Sequence, residues 1–201
     1  MINFILFIII AYFCGSIPSG VWLGRKIKGI DIREHGSKNS GATNAYRVLG
    51  AKYGIMVLIL DALKGYVPLL IAHKFGISGG ELVFLGLVAI LGHTFSCFLN
   101  FNGGKGVATS LGVFLYLIPN VVGILVITFI LVVYMSRYIS LGSIICSILL
   151  PILTAILPMK DNISRIPMLI ITTIVGVFVV YKHKSNIGRI LKGTENKFKL
   201  K

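Results

Sequence analysis

Residues 82–118 read LVFLGLVAILGHTFSCFLNFNGGKGVATSLGVFLYLI, and this stretch decides the fold. An apolar run over 82–99 stops at Asn100-Phe101-Asn102-Gly103-Gly104-Lys105-Gly106, and a shorter one over 107–118 follows before Pro119 and Asn120. A polar glycine turn between apolar runs is stable at membrane depth only where protein or a watery cavity surrounds it, because lipid offers no hydrogen bonds. The rest of the chain repeats the theme. Of 201 residues, 56% are hydrophobic and 13% charged, with a mean hydropathy of +0.91. A soluble domain of this length has too little interior to hide so much apolar surface. Further apolar runs lie at about 2–23, 53–73, 120–135, 139–158 and 165–181. A spanning helix needs about 20 residues. We therefore expect an all-α, polytopic transmembrane helical bundle of about seven spans, forming a single membrane domain over 1–201. Five or six spans remain if the 107–118 run re-enters or lies at the interface. Met1-Ile2-Asn3 supplies neither a positive n-region nor a following cleavage site, so the first run is expected to be retained as a span.

The net charge is +14, from 20 Lys and Arg against 6 Asp and Glu. In a soluble protein that balance would suggest nucleic acid. Here the cations flank apolar runs with no aromatic-interleaved basic stripe, so topology and anionic membrane lipid account for most of them, and no nucleic acid is expected. With seven spans, 16 cations fall on one side: seven in 24–52, Lys105, Arg137 and seven in the tail. Lys74, Lys160 and Arg165 fall on the other. That asymmetry puts the long loop, the glycine turn and the tail in the cytoplasm and the N-terminus outside. Cys14, Cys97 and Cys146 are far apart, without metal-ligand spacing, and read as reduced packing residues.

Three segments on the cationic side carry more hydrogen-bonding groups than plain connections require. In Arg33-Glu34-His35-Gly36-Ser37-Lys38-Asn39-Ser40-Gly41-Ala42-Thr43-Asn44-Ala45-Tyr46-Arg47, glycines permit tight turns whose N–H groups form an anion nest. Ser37, Asn39, Thr43 and Asn44 add neutral groups, and Arg47 suits bidentate phosphate contact. The second segment, Gly103-Gly104-Lys105-Gly106, is not a Walker A loop: no Ser or Thr follows the lysine and no strand precedes it. It still offers N–H groups and a cation at a helix start. In the third, His183-Lys184-Ser185-Asn186-Ile187-Gly188-Arg189-Ile190-Leu191-Lys192-Gly193-Thr194-Glu195, His183 and Asn186 share a helix face at i, i+3. Each segment also has a plainer reading, as a solvated basic loop that sets topology or a tail that hugs anionic lipid.

Asp61 and Lys64 stand at i, i+3 within a span and can neutralise each other. Arg137 through Ser143 offers further donors at the same level, and His93 opens the segment leading to the glycine turn. No HExxH, no paired Cys or His ligands and no acidic cluster points to a metal, and no cofactor is implied. Four residues after the histidines stand Ser40, Ser78, Phe98 and Gly188, so the His-x4-Asp pattern of acyl-CoA-type acyltransferases is absent. Cations and donors with few bases suit a substrate that arrives activated and carries its own phosphate. Two rivals use similar parts: a small transporter or flippase for a phosphorylated solute or lipid, and a protein that only binds anionic lipid. No internal repeat suggests a two-halved transporter.

Taken in order, these segments resemble the bacterial acyl-phosphate:glycerol-3-phosphate acyltransferase family. Gly15-Ser16-Ile17-Pro18-Ser19-Gly20 and Gly36 through Asn44 are similar to its first signature. His93 through Thr109 resembles the second, and His183 through Ile187, with Arg189, Gly193 and Glu195, the third. The resemblance implies acyl transfer from acyl phosphate to the 1-hydroxyl of sn-glycerol 3-phosphate, giving lysophosphatidic acid and phosphate, in the bacterial inner membrane. It implies no metal and no acyl-CoA use, and a monomer is the expected state. It maps phosphate-binding and positioning roles onto Ser37, Arg47, Lys105, Ser143, His183 and Asn186. Gly103, Gly104 and Gly106 are associated with glycerol 3-phosphate, and Glu195 with structure. Asp61, Lys64, His93 and Arg137 are expected to support the site. Ser96 and Cys97 depart from the family's usual Pro and aliphatic pair, and Ser40 from a more apolar residue.

Overall fold

Pro18 interrupts the first apolar run, because it has no N–H to continue the helical ladder. The computed structural model describes residues 2–159 and 164–198. The topology cations Lys160, Lys199 and Lys201, and Asp161, lie outside the described residues. Helix α1 (Ile2–Ser16) and α2 (Ser19–Lys28) meet at a 40° bend around Ile17 and Pro18. They are followed by α3 (Ala42–Leu49), α4 (Ala51–Lys74), α5 (Gly79–Thr94) and α6 (Val107–Leu117). After these come α7 (Pro119–Ser136), α8 (Ile139–Ile156), α9 (Arg165–Lys182) and α10 (Lys184–Leu191). Among the described residues every regular element is helical.

Among the described residues five helices are long and apolar enough to cross a membrane: α4, α5 with its extension to Leu99, α7, α8 and α9. The bent α1–α2 pair makes a sixth if it counts as one span. Helix α6 has 11 residues, which rise about 16 Å, roughly half the hydrocarbon thickness. Among the described residues that makes five or six candidate spans plus this short apolar helix, within the five to seven expected. Gly106 and Pro119 bracket the short run.

The chain forms two compact units, Met1–Tyr116 and Leu117–Lys201. In the first, backbones approach closely wherever small residues allow it. Gly15 faces the Ala89 carbonyl and Gly92 the Tyr12 carbonyl, so α1 lies against α5 with no room for a Cβ at either point. Gly112 faces the Ala62 carbonyl and Gly65 faces Thr109, drawing α4 and α6 together in the same way. Ser16 Oγ donates to Gly92 O (3.3 Å) and Ser96 Oγ to Ser16 O (2.5 Å), so hydroxyls reinforce the α1–α5 seam. In the second unit α8 packs between α7 and α9, with Gly142 against Phe129 and Gly176 against the Ser147 carbonyl. Ser147, Thr154 and Thr172 turn their hydroxyls back to carbonyls four residues earlier, so buried polar groups in these spans are satisfied locally.

Candidate active site

The first polar segment is a folded object. Asp31 caps a 3₁₀ turn over Ile32–Glu34 by accepting from Arg33 N (3.0 Å). Its carboxylate also takes Arg33 Nη2 at 2.7 Å and Arg25 Nη2 at 3.2 Å. The hydrogen bond from the Arg33 side chain, with the charge beside it, holds Asp31 well below the usual carboxylate range. Asn44, 1% exposed, pins the segment from within. Its Oδ1 accepts from Ser37 N (2.7 Å) and Ser37 Oγ (3.1 Å). Its Nδ2 donates to Ile32 O (2.7 Å), Asn39 O (2.8 Å) and His35 O (3.2 Å). The sequence reading offered Asn44 as a donor to substrate; here its amide is spent on the loop, where it gives the loop its shape. Asn39 likewise turns its Oδ1 to Gly41 N (2.9 Å). Ser37 differs. Its N–H alone satisfies Asn44 Oδ1, so the exposed hydroxyl can turn to a ligand at little cost.

Gly36 (φ +60°) and Lys38 (φ +56°) take left-handed backbone on either side of Ser37, and a Cβ on Gly36 would overlap Asn44 Oδ1. Thr43 and Arg47, both half-buried, sit in the first and last turns of α3. Beneath the segment Val21, Ile32, Ala45, Leu49, Val57 and Leu99 form one buried apolar cluster. Leu99 belongs to the 3₁₀ turn (Cys97–Leu99) that leads into the glycine turn. Hydrophobic burial thus seats the first and second polar segments on a shared floor.

The glycine turn is built on His93. Gly103 N donates to Thr94 O (2.9 Å) and Gly104 N to His93 O (3.2 Å). A Cβ on Gly103 would overlap the His93 carbonyl, and one on Gly104 would overlap the imidazole Nε2. These two glycines are required by the backbone's approach to His93, a packing reason that spacing alone did not reveal. Gly106 (φ +85°) releases the chain into α6, with half-buried Lys105 just before it. Around the turn, Thr109 Oγ1 and Ser110 Oγ are buried without a hydrogen-bond partner among the described residues. Behind His93, at 4.0 Å from its Nδ1, lies Asp61 Oδ1, and that oxygen is 2.7 Å from Lys64 Nζ. Lys64 also donates to Ile17 O (2.7 Å) at the α1–α2 bend. Nothing in the sequence pattern signalled that contact. Beside the bend, an apolar groove of about 400 Å³ runs between α2 and α4, with Trp22, Leu60, Leu63 and Val67 on its walls.

In the second unit the tail folds back on Glu195, which is 5% exposed. Its Oε1 accepts from Asn186 Nδ2 (2.7 Å) and Ser140 Oγ (2.9 Å), and its Oε2 from Arg189 Nε (2.6 Å). Burial alone would raise this carboxyl; the bonds from Asn186, Arg189 and Ser140 outweigh it and leave the group below its ordinary value. Ser140 went unremarked as a partner because 55 residues separate it from Glu195. His183, 3% exposed, is 2.7 Å from Val179 O through Nδ1. A carbonyl only accepts, so Nδ1 carries a proton in this contact. Ser143 Oγ is turned back to Ile139 O (3.1 Å). Arg137 ends α7 in left-handed backbone (φ +61°), stacks by Tyr134, and its carbonyl takes Phe198 N (2.6 Å). The Ser96 departure also has a cause: its buried hydroxyl is the one that ties α5 to Ser16.

A family model described as glycerol-3-phosphate acyltransferase matches residues 5–193. A glycerol-3-phosphate acyltransferase of Fusobacterium nucleatum is 59% identical over 196 residues, 98% of each chain. One of Geobacter sulfurreducens is 47% identical over 201 residues, covering 99% of this chain and all of the relative. Two crystal structures of PlsY (YgiH), an integral membrane glycerol 3-phosphate acyltransferase, are similar along nearly the whole chain. The glycerol 3-phosphate form has a TM-score of 0.87 at 39% identity, covering 98% of this chain and 96% of that one. The lysophosphatidic acid form has a TM-score of 0.86 at 38% identity, covering 98% and 95%.

Proposed function

The chain belongs to the glycerol-3-phosphate acyltransferase family, and from that premise we propose that its acyl donor is acyl phosphate and its acceptor atom the 1-hydroxyl of glycerol 3-phosphate. It is a multi-pass integral membrane enzyme that transfers an acyl group to glycerol 3-phosphate. In our reading the whole chain is one catalytic domain, acting as a monomer in the bacterial inner membrane with its cationic segments in the cytoplasm. Arg47 and Lys105 hold the phosphate of glycerol 3-phosphate, and Ser37 contributes its hydroxyl. Ser143, Asn186 and His183 serve the acyl phosphate. Thr43 and the N–H groups of the glycine turn supply further contacts.

The observation that carries the donor assignment is the state of the carboxylates. Asp31 is committed to Arg33, Asp61 to Lys64 and Glu195 to Arg189, Asn186 and Ser140. A carboxylate already compensated by a cation is a poor base. The hydroxyl oxygen of glycerol 3-phosphate then attacks the acyl carbonyl carbon, the bond from that carbon to the phosphate oxygen breaks, and the departing phosphate takes the hydroxyl proton. Rate comes from alignment of the two substrates and from fixed donors facing the developing oxyanion and leaving phosphate. The test is direct. Purified protein is incubated with acyl phosphate and glycerol 3-phosphate, with acyl-CoA as the control donor, and lysophosphatidic acid and phosphate are measured. Product from acyl phosphate alone supports the reading; product from acyl-CoA, or from neither donor, refutes it.

A further inference from the structure

Asp61 and Lys64 are 1% and 8% exposed, in the middle of a helix long enough to span the bilayer. Taking two charges out of water costs several kcal/mol per ion, and apolar residues of the same volume commonly hold a fold as well or better. Stability is therefore a weak reason for the pair to be there. Its contacts give a stronger one. Lys64 Nζ reaches Ile17 O (2.7 Å), at the bend where Pro18 breaks the helix. This fixes where α2 begins. Ser40 O and the Ile32 side chain lie directly on Gly20 and Gly24 of α2, so the placement of α2 sets that of the segment around Ser37. On its other side, Asp61 Oδ1 lies 4.0 Å from His93 Nδ1, and the His93 ring and carbonyl are the surface on which Gly103 and Gly104 rest.

We propose that the Asp61–Lys64 pair is a positioning device that sets the spacing between the first polar segment and the glycine turn, and through it the affinity for glycerol 3-phosphate. It acts through Ile17 on one segment and through His93 on the other, with Lys64 Nζ 2.7 Å from both Asp61 Oδ1 and Ile17 O. The proposal rests on the acyl-transfer reading for the identity of the ligand.

Wild-type protein, Lys64→Arg, Lys64→Met and the double variant Asp61→Leu/Lys64→Met are compared in lipid nanodiscs by thermal melting, calorimetric titration with glycerol 3-phosphate, and turnover. Lys64→Met alone strands a buried carboxylate and is expected to fold poorly. The double variant removes both charges and is expected to melt no lower than wild type. Its Kd and KM for glycerol 3-phosphate should rise about 10- to 100-fold, the effect of a misplacement of roughly 1 Å. Its KM for acyl phosphate should change by less than about twofold, and Lys64→Arg, which keeps the charge but not the compact ammonium, should fall between wild type and the double variant. Wild-type Kd and KM in the double variant would overturn the proposal. So would a double variant that fails to fold, since the pair would then be a folding element. Wild-type protein that binds glycerol 3-phosphate without using acyl phosphate would fail the donor assignment instead, and the Kd comparison would still judge the pair.

Discussion

Replacing Glu195 by glutamine removes one charge and leaves the shape of the side chain unchanged. The carboxylate accepts three hydrogen bonds, from Ser140 (2.9 Å), Asn186 (2.7 Å) and Arg189 (2.6 Å). In the variant the amide oxygen stays with Ser140 and Asn186, and the amide nitrogen turns toward Arg189. Those two retained bonds weaken from charge-assisted to neutral, about 1 kcal/mol each. Arg189 is 37% exposed and can turn to water, so its loss adds little. The tail should therefore open about 2 kcal/mol more easily, close to 30-fold. Amide hydrogen exchange reads this at Thr194, whose N–H bonds Arg189 O, and at Phe198, whose N–H bonds Arg137 O. The sign with pH is equally definite. A carboxyl held below its ordinary 4.5 contributes its full stability above that value and loses it as pH falls through the lowered one. Wild-type protection should decline in that acid window, and Glu195→Gln should lack the decline. Turnover should fall as well, because the bond that orients Asn186 weakens. Protection within twofold of wild type, with the acid limb intact, would refute the latch.

On the proposed assignment, Arg47→Lys should lower kcat/KM by about 100-fold, since an ammonium cannot reproduce a bidentate contact; steady-state kinetics would show near-normal turnover if Arg47 lies outside the site. Lys105→Ala should act mainly on glycerol 3-phosphate saturation, and an unaltered saturation curve counts against the role. Gly104→Ala sets a methyl into the His93 ring and should raise the KM for glycerol 3-phosphate about tenfold or more. His93→Ala in the same chain should recover part of that loss if the clash is the cause. For His183→Ala, a pH–rate profile unchanged in shape is expected from substrate-assisted proton transfer, whereas loss of its acid limb with intact binding would make the imidazole the base.

Hydropathy alone exposed most of the helices, because a run of about 20 apolar residues has one economical home. It did not expose the bend at Pro18, since Ile17 and Pro18 are themselves apolar and the run over 2–23 reads as continuous. It also left 42–49 as loop, although Ala42–Leu49 is helical; eight residues are too few to form a helix without the apolar floor of Ile32, Leu49 and Leu99. At the site, residue type announced what is present but not how it is spent. Asn44 and Ser37 look alike as donors in the sequence, yet the amide is consumed inside the loop and the hydroxyl is replaceable. His183 and Asn186 can be paired from the sequence because helical spacing is local. The Ser140–Glu195 and Lys64–Ile17 contacts span 55 and 47 residues and have no periodic signature.

The placement of charge also bears on how the reaction is driven. Asp31, Asp61 and Glu195 each neutralise a cation that holds part of the scaffold: Arg33, Lys64 and Arg189. On the proposed substrate-assisted route, the enzyme does not draw on general-base catalysis, worth about 10²–10⁴-fold where it operates. Orientation of two bound substrates supplies about 7–11 kcal/mol, and each well-placed donor to the developing charge about 2.7–4 kcal/mol more. Both depend on rigid loops, and rigid loops are what these carboxylates, together with Asn44 and His93, provide. An acyl phosphate, whose leaving group departs as a stable anion and brings its own proton acceptor, is the donor whose chemistry asks for that and little else.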